Sequence, residues 1–216
     1  MSVPGWPFSP PDRPELPTPP YPPERWTPMR TAPVAVPMVD VPSGDAADRL
    51  WARRRILVSG SLDGELVNRV AAELMALDGR SAADVELLIN SDGGPPADVV
   101  VLLDVIGAMR APVVTTCMGR AKGTAAVLLA SGTGRRTATP SSVLSLRIAW
   151  DERIEGRPDE VRTRLDELDL ARRNVLRALV ASTGRREEDL AEGLDRGPIV
   201  DADQAVALGL IDVVER

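Results

Sequence analysis

The sequence predicts an α/β fold in which parallel strands alternate with helices. The main evidence is the stretch 85–132, which reads in order as strand, glycine turn, helix, strand, small-residue turn and helix. Parallel strands joined in this order need right-handed crossovers, and these place both turns at one edge of the sheet. Ligands of open α/β sheets bind beyond the carboxyl ends of the strands. We therefore expect any functional site at that edge, between the two turns.

The first 45 residues differ in composition from the rest of the chain. They contain fourteen of the twenty prolines, together with the only Phe and the only Tyr, Phe8 and Tyr21. Because proline removes backbone donors and fixes φ, we predict a disordered or locally polyproline II segment outside the core. A flexible extension and a docking peptide for a partner's groove both remain open. The sequence thus predicts a disordered extension over 1–45 and a folded domain over 46–216.

Apolar spacing and helix-ending residues predict the elements of the folded domain in order. The clearest helix covers 65–78, and its expected core positions are Leu66, Val67, Val70, Leu74 and Leu77. The other predicted helices cover 45–51, 97–109, 125–130, 159–182 before Gly184, 186–194, and a capped segment stopped by Gly209. The predicted strands cover 55–59, 85–90, 113–118 and 143–148, with a short final strand and a hairpin or loop at 135–140.

The two turns in 85–132 have compositions that suit a binding pocket. At Gly93 and Gly94 the backbone can take positive φ and leave N–H groups free to hold a carbonyl oxygen. The second turn, GRAKGTAA over 119–126, leads into an apolar helix whose first N–H groups carry partial positive charge. Either motif alone is equally typical of a tight turn or of close packing. Together they favour a pocket for a substrate carbonyl group.

Composition excludes several classes of function. The net charge is −6, which argues against a nucleic-acid-binding protein, because phosphate-reading surfaces carry a basic excess. Histidine is absent, so the usual general base and the commonest nitrogen ligand for metals are missing. Cys117 is the only cysteine, which rules out an intramolecular disulfide and a cysteine metal cage. We expect no metal, no cofactor and, without a membrane-length apolar run or a secretory signal, no membrane contact and a cytoplasmic location.

Five motifs in order carry a family resemblance over residues 50–214. The segments INSDGG, TTCMGRAKGTAAVLLASG, RRTATPSSVLSLR, STGRREEDLAEG and VDADQAVALGLIDVV resemble the proteolytic subunit of the ATP-dependent Clp protease. The resemblance implies the Clp/crotonase-type fold of stacked ββα units, with the helix at 159–182 as a handle that pairs two rings of subunits. It also implies a homo- or hetero-oligomeric ring of Clp proteolytic subunits, an unfoldase ATPase as partner, and peptide or unfolded protein as substrate.

The family is a serine peptidase, and the resemblance locates its catalytic triad in this chain. Alignment of the motifs places Gly123 at the serine, Arg147 at the histidine and Gly197 at the aspartate, with Asp195 close to the last but out of register. Glycine has no nucleophile, and arginine stays protonated and cannot act as a general base. The resemblance therefore implies a degenerate triad, and we expect no catalytic residue at these positions.

Part of the oxyanion and peptide-binding machinery is expected to survive. The resemblance aligns Gly94, next to Gly93, with one oxyanion donor and Thr124 with the other. Loss of a triad member from a serine protease leaves only the contribution of the oxyanion hole and binding. We therefore expect a structural or regulatory subunit of a Clp complex that does not cleave peptides.

Two alternatives remain open. The first is an active serine-type endopeptidase subunit or a hydrolase with a non-standard nucleophile. Lys122, the only lysine, lies beside Thr124 and near Ser131 in the sequence, and Ser/Thr–Lys hydrolases need no histidine. Cys117 is a weaker candidate, because its apolar strand pattern is typical of a buried, inert thiol. The second alternative is a crotonase-like acyl-CoA-binding protein, since that superfamily shares the paired oxyanion donors.

Overall fold

The computed structural model of the chain describes residues 45–148 and 156–215. The predicted proline-rich extension lies almost wholly outside these residues, and the predicted domain boundary stays a prediction. The helices are α1 (Asp45–Ala52), α2 (Gly64–Arg80), α3 (Pro96–Ala108), α4 (Thr124–Ala130), α5 (Pro158–Thr183), α6 (Glu187–Arg196) and α7 (Ala202–Ala207). The strands are β1 (Arg55–Ser61), β2 (Val85–Gly93), β3 (Val113–Lys122), β4 (Arg136–Ala138), β5 (Val143–Ser145) and β6 (Val213–Val214).

The strands form one sheet in the order β1-β2-β3-β4-β6, and every named pairing is parallel. β4 pairs with residues 115–117 of β3, and β5 pairs with residues 120–122 farther along the same strand. The α/β fold with a parallel sheet is therefore confirmed. The carboxyl ends of β2, β3 and β5 meet at one edge, which is where the site was expected.

The helix predicted most clearly from spacing forms as expected. In α2 the buried set includes all five predicted core positions, Leu66, Val67, Val70, Leu74 and Leu77. The helix begins after Asp63, whose carboxylate accepts a hydrogen bond from the backbone N–H of Leu66 at 3.0 Å. Such a cap satisfies one of the N–H groups that a helix start leaves without an intrahelical partner.

Helix α4 is enclosed within the folded domain. All seven of its residues are buried, and it packs against β2, β3, α3 and α5. A helix that is apolar on every side is typical of a fully enclosed position. The turn that precedes α4 is therefore held from several directions.

Helix α5 is the long charged helix that the sequence predicts. It has 26 residues, which corresponds to a length of about 39 Å. Pro158 occupies its first turn, and Gly184 ends it in the left-handed conformation with φ of 66°. Its buried residues lie only in the second half of the helix, whereas Leu165 and Leu170 in the first half are 50% and 53% exposed. The first half thus stands clear of the core, as a handle does.

Several strand predictions differ from the structure. The hairpin or loop predicted at 135–140 is wrong, because residues 136–138 form β4, a short parallel strand between β3 and β6. β5 ends at Ser145 and not at residue 148, because the chain then leaves β3 and the N–H of Ile148 donates to the carbonyl of Leu194 at 2.9 Å. β2 and β3 both continue beyond their predicted ends, to Gly93 and Lys122.

None of the helices that the structure describes is long and apolar enough to cross a membrane.

Arg136, at the start of β4, joins the ends of several helices. Its Nη1 donates to the carbonyl oxygens of Ala130, Ser182 and Gly209 at 3.2, 3.1 and 3.0 Å. Its Nη2 donates to Asp212 Oδ1 at 2.5 Å, and this pairing holds the pKa of Asp212 below its ordinary value. The Arg136 side chain is only 13% exposed, so the carbonyls around it are largely shielded from water.

Replacement of Arg136 by methionine is expected to lower the free energy of unfolding by about 2–4 kcal/mol, because it leaves shielded carbonyls and a carboxylate without their donor. Urea denaturation followed by circular dichroism measures this change. Arg135→Met is the matched control, since Arg135 is the exposed neighbour, and it should change the free energy by less than about 1 kcal/mol. Equal effects of the two substitutions would contradict this interpretation.

Candidate functional site

The two predicted turns lie side by side, as expected for adjacent parallel strands. Ser91 of β2 is opposite Ala121 of β3, so the residues that follow both strands share one edge of the sheet. The backbone N–H of Gly94 in the first turn donates to Oγ1 of Thr124 in the second turn at 2.8 Å. The turns are thus joined by a direct hydrogen bond.

Gly123 forms a sharp turn between β3 and α4. Its φ of 53° and ψ of −125° lie in a region that residues with a side chain rarely adopt. Its N–H donates to the carbonyl of Ser145 at 2.8 Å, which fastens the turn to the end of β5. A strained strand-to-helix turn of this kind is where hydrolases expose a nucleophilic side chain. Here the position has no side chain.

The backbone of Arg147, and not its side chain, lies next to this turn. A methyl group placed on Gly123 would lie 3.2 Å from the carbonyl oxygen of Arg147 and 3.7 Å from Cγ1 of Ile148. The side chain of Arg147 is exposed. The structure therefore brings together the two positions that align with the serine and the histidine, and it fills the space above Gly123 with the backbone that follows β5.

Gly197 ends α6, and its segment runs beside the one that carries Arg147. Leu144 and Val200 form an antiparallel bridge on one side of this contact. The N–H of Gly197 donates to the carbonyl of Gly193 at 2.9 Å. A methyl group on Gly197 would lie only 2.3 Å from that same oxygen. The helix end therefore has no room for a side chain at this position.

Asp195, two residues before Gly197, forms an ion pair with Arg172. Its Oδ2 accepts a hydrogen bond from Nη2 of Arg172 on α5 at 2.8 Å. The hydrogen bond from Arg172 is the main cause that lowers the pKa of Asp195. This carboxylate fastens α6 to the long helix and does not replace the aspartate that the resemblance aligns with Gly197.

Gly93 and Gly94 are required by packing. Gly93 has φ of 95°, and a methyl group there would lie 2.7 Å from the carbonyl oxygen of Lys122. A methyl group on Gly94 would lie 2.2 Å from the carbonyl oxygen of Leu62. Both distances are well below van der Waals contact, so the ends of β1, β2 and β3 approach each other only because both residues are glycine.

Thr124 has its hydroxyl turned into the chain. Oγ1 accepts the N–H of Gly94 at 2.8 Å and donates to the carbonyl oxygen of Gly94 at 3.0 Å. The residue is 1% exposed. The N–H that the sequence suggested for a ligand carbonyl is thus already engaged.

A charged cluster stands at the mouth of the two turns. Asp92 forms ion pairs with Nε of Arg120 and with Nζ of Lys122, both at 3.1 Å. The side chains are 36–56% exposed, so these ion pairs contribute no more than about 1 kcal/mol each. Sequence analysis did not identify this cluster, although the parallel register of β2 and β3 places Asp92 beside both cations.

The side chains of the Ser/Thr–Lys and cysteine alternatives have other partners or are buried. Lys122 is paired with Asp92, and the hydroxyl of Ser131 donates to the carbonyl of Val127 at 2.8 Å. Cys117 is buried in β3, and burial raises the pKa of its thiol. A thiol in that state is a poor nucleophile. Within 45–148 and 156–215, no three histidine, cysteine or carboxylate side chains come close enough to hold a metal ion.

Comparisons with known proteins agree on one family. Residues 41–216 match the family model described as Clp protease. The chain is 32% identical over 169 residues to ATP-dependent Clp protease proteolytic subunit 1 of Thermobifida fusca, which covers 77% of this chain and 76% of that protein. It is 34% identical over 173 residues to a Clp protease proteolytic subunit-like protein of Streptomyces coelicolor, covering 79% and 82%. Subunit 2 of Frankia casuarinae is 32% identical over 172 residues, covering 79% of each chain.

Proposed function

Because the chain belongs to the Clp protease family of proteolytic subunits, we propose that it is a catalytically inactive member that serves a Clp complex as a structural or regulatory subunit. The observation that carries the proposal is the turn at Gly123, which keeps a strained strand-to-helix geometry and offers no nucleophile. Arg147 stands where the resemblance places the general base, and Gly197 where it places the aspartate. Neither residue supplies the missing chemistry.

The environment of the turn also argues against a peptidase. The residues after Gly94 are Pro95 and Pro96, which have no backbone N–H to donate to an extended peptide. Pro96 starts α3 directly, so the chain turns away from the site at that point. A substrate strand laid along this segment would lose main-chain hydrogen bonds, which supply affinity when a peptide adds to a sheet edge.

The proposed partners follow from the family. The relatives are named as proteolytic subunits of an ATP-dependent protease, which supports an oligomeric ring with Clp proteolytic subunits, of one or of two kinds, and an unfoldase ATPase as partner. The projecting half of α5, with exposed Leu165 and Leu170, offers apolar surface for such an assembly. We propose that the complex acts in the cytoplasm.

The match to Clp proteolytic subunits favours this proposal over the crotonase-like alternative. The hydrolase alternative would need a nucleophile with a base beside it. Among the described residues, Lys122 and Thr124 both have other partners, and Cys117 is a buried thiol with a raised pKa.

The proposal predicts assembly without activity. Co-expression with an active Clp proteolytic subunit from the same cell, followed by size-exclusion chromatography with light scattering, should yield a ring-sized complex that contains both chains. Leu165→Asp combined with Leu170→Asp should weaken this assembly by at least tenfold, because two charges enter an apolar contact. Arg164→Asp is the control, since it adds negative charge to the same helix and removes no apolar surface.

The isolated chain should hydrolyse a fluorogenic peptide no faster than buffer. Hydrolysis that copurifies with the chain and is abolished by Lys122→Met would support the hydrolase alternative and overturn the proposal. A chain that remains a monomer with every active subunit supplied would contradict the assembly part of the proposal.

A further inference from the structure

The hydroxyl group of Thr124 and the two backbone polar groups of Gly94 are hydrogen-bonded to one another. The Thr124 hydroxyl accepts from the N–H of Gly94 at 2.8 Å and donates to the carbonyl of the same residue at 3.0 Å. One hydroxyl group thus binds both backbone groups of Gly94. A hydroxyl has one donor and two acceptor sites, so it is suited to this double contact.

The position of the hydroxyl oxygen is the position that a ligand oxygen would need. A backbone N–H that stabilises a carbonyl or an oxyanion holds that oxygen at about 2.7–3.1 Å. Oγ1 of Thr124 already lies within that range of the Gly94 nitrogen. A ligand oxygen therefore competes with a side chain that is part of the protein.

Thr124 has little freedom to move aside. It is 1% exposed and stands at the start of α4, which is buried on every side. A methyl group on Gly93 would lie 3.0 Å from Oγ1, so the neighbouring turn packs closely against the hydroxyl. β-branched side chains also have few rotamers in a helix. Any other rotamer would leave the N–H and the carbonyl of Gly94 without their partner.

We propose that Thr124 is an internal plug, which occupies the oxyanion position with its own hydroxyl and so closes that position to carbonyl ligands. The proposal rests on the proposed function only in that this position is the one aligned with the family's oxyanion donor. It goes further, because it assigns the closure to one side chain and predicts that removal of this hydroxyl opens the position. Gly93, Gly94 and Lys122 are partly exposed around the buried threonine, so the opened position would be reachable from their side.

Hydrogen exchange of the Gly94 amide in the full chain tests the plug. Thr124→Val keeps the shape and removes the hydroxyl, and it should speed exchange of this amide by at least tenfold. Thr124→Ser keeps the hydroxyl and should leave exchange within about twofold of the original chain. Thr163→Val is the control, since it removes a hydroxyl from the exposed part of α5. Unchanged exchange in Thr124→Val would overturn the proposal.

Ligand binding provides the second measurement. The probe is an acetylated hydrophobic tripeptide with a free carboxylate, added to protein labelled with ¹⁵N-glycine. The Gly94 resonance should shift in Thr124→Ala and stay in place in the original chain and in Thr124→Ser. An equal shift in the original chain, or no shift in a folded Thr124→Ala variant, would contradict the plug. Neither measurement depends on peptidase activity, so the plug and the inactivity of the chain can fail separately.

Discussion

A chain that carries Gly123→Ser, Arg147→His and Gly197→Asp together is expected to remain without measurable peptidase activity. The substitutions restore the residue types of the triad, whose loss from a serine protease costs about 10⁴ to 10⁶ in rate. The geometry does not return with them. The strongest obstacle is position 197, where even a methyl group would lie 2.3 Å from the carbonyl oxygen of Gly193. An aspartate there must displace the end of α6.

The other two positions add further obstacles. A serine at 123 must accept φ of 53° and a Cβ 3.2 Å from the carbonyl oxygen of Arg147. The backbone N–H of Gly94, which the resemblance aligns with an oxyanion donor, donates to the Thr124 hydroxyl, and removal of one such donor from a serine protease costs about 10² to 10³ in rate. We therefore expect the backbone around the site to oppose peptidase activity even when the three side chains are restored.

The measurement is hydrolysis of a fluorogenic peptide, compared with the matched variant Gly123→Ala/Arg147→His/Gly197→Asp, which lacks only the hydroxyl. Because Gly197→Asp is expected to destabilise the fold, the double variant Gly123→Ser/Arg147→His is tested as well. It should fold, as judged by circular dichroism, and fail to react with a fluorophosphonate probe. A rate of more than about 10³ times that of the matched variant would show that the site needs only its side chains.

The regular elements of the fold were predictable from apolar spacing. Helix α2 shows this best, because the five core positions predicted from its helical spacing are all buried. The ends of β2 and β3 were not predictable in this way. Apart from Ala121, residues 91–93 and 119–122 are polar, charged or glycine, and neighbouring strands hold them in the sheet through the pairs Ser91↔Ala121 and Lys122↔Ser145. Tertiary pairing overrides the local preference there.

The short strands mark a second limit of sequence reasoning. β4 has three residues, too few to display an alternating pattern, and it exists because β3 and β6 flank it. A segment of this length carries no periodic signal of its own. The sequence indicated a turn or loop because Arg135, Arg136 and Pro140 are typical of one.

The sequence predicted that the two turns lie at one edge of the sheet, but it did not predict the hydrogen bonds between them. Motif order and the rule for parallel strands placed both turns at one edge. That the hydroxyl of Thr124 binds Gly94 depends on a rotamer and on the register of β2 against β3, to within about an ångström. Neither the rotamer nor the register can be inferred from the sequence alone. The same holds for Gly197, whose lack of space depends on how α6 ends.

The second large effect is expected from Gly94→Ala, which should lower the free energy of unfolding by about 3 kcal/mol or more, or prevent folding. The new methyl group would lie 2.2 Å from the carbonyl oxygen, 2.6 Å from the carbonyl carbon and 2.9 Å from the Cα of Leu62. These are backbone atoms of a fully buried residue, whose own N–H donates to the carbonyl of Gly93 at 3.1 Å. They cannot move without breaking the contact between β1 and β2.

The matched control is Gly107→Ala in α3, where no atom lies within 4 Å of the added methyl group. That substitution should stabilise the protein by up to about 1 kcal/mol, because alanine favours a helix over glycine. Thermal and urea unfolding of both variants measure the difference. The comparison also tests why residue 94 must be glycine in a chain with no nucleophile at position 123. Alanine keeps the backbone N–H of residue 94, so a role limited to donating that hydrogen would leave Gly94→Ala as stable as the original chain. Only a steric requirement for glycine at this edge of the sheet predicts that the Gly94→Ala variant is strongly destabilised.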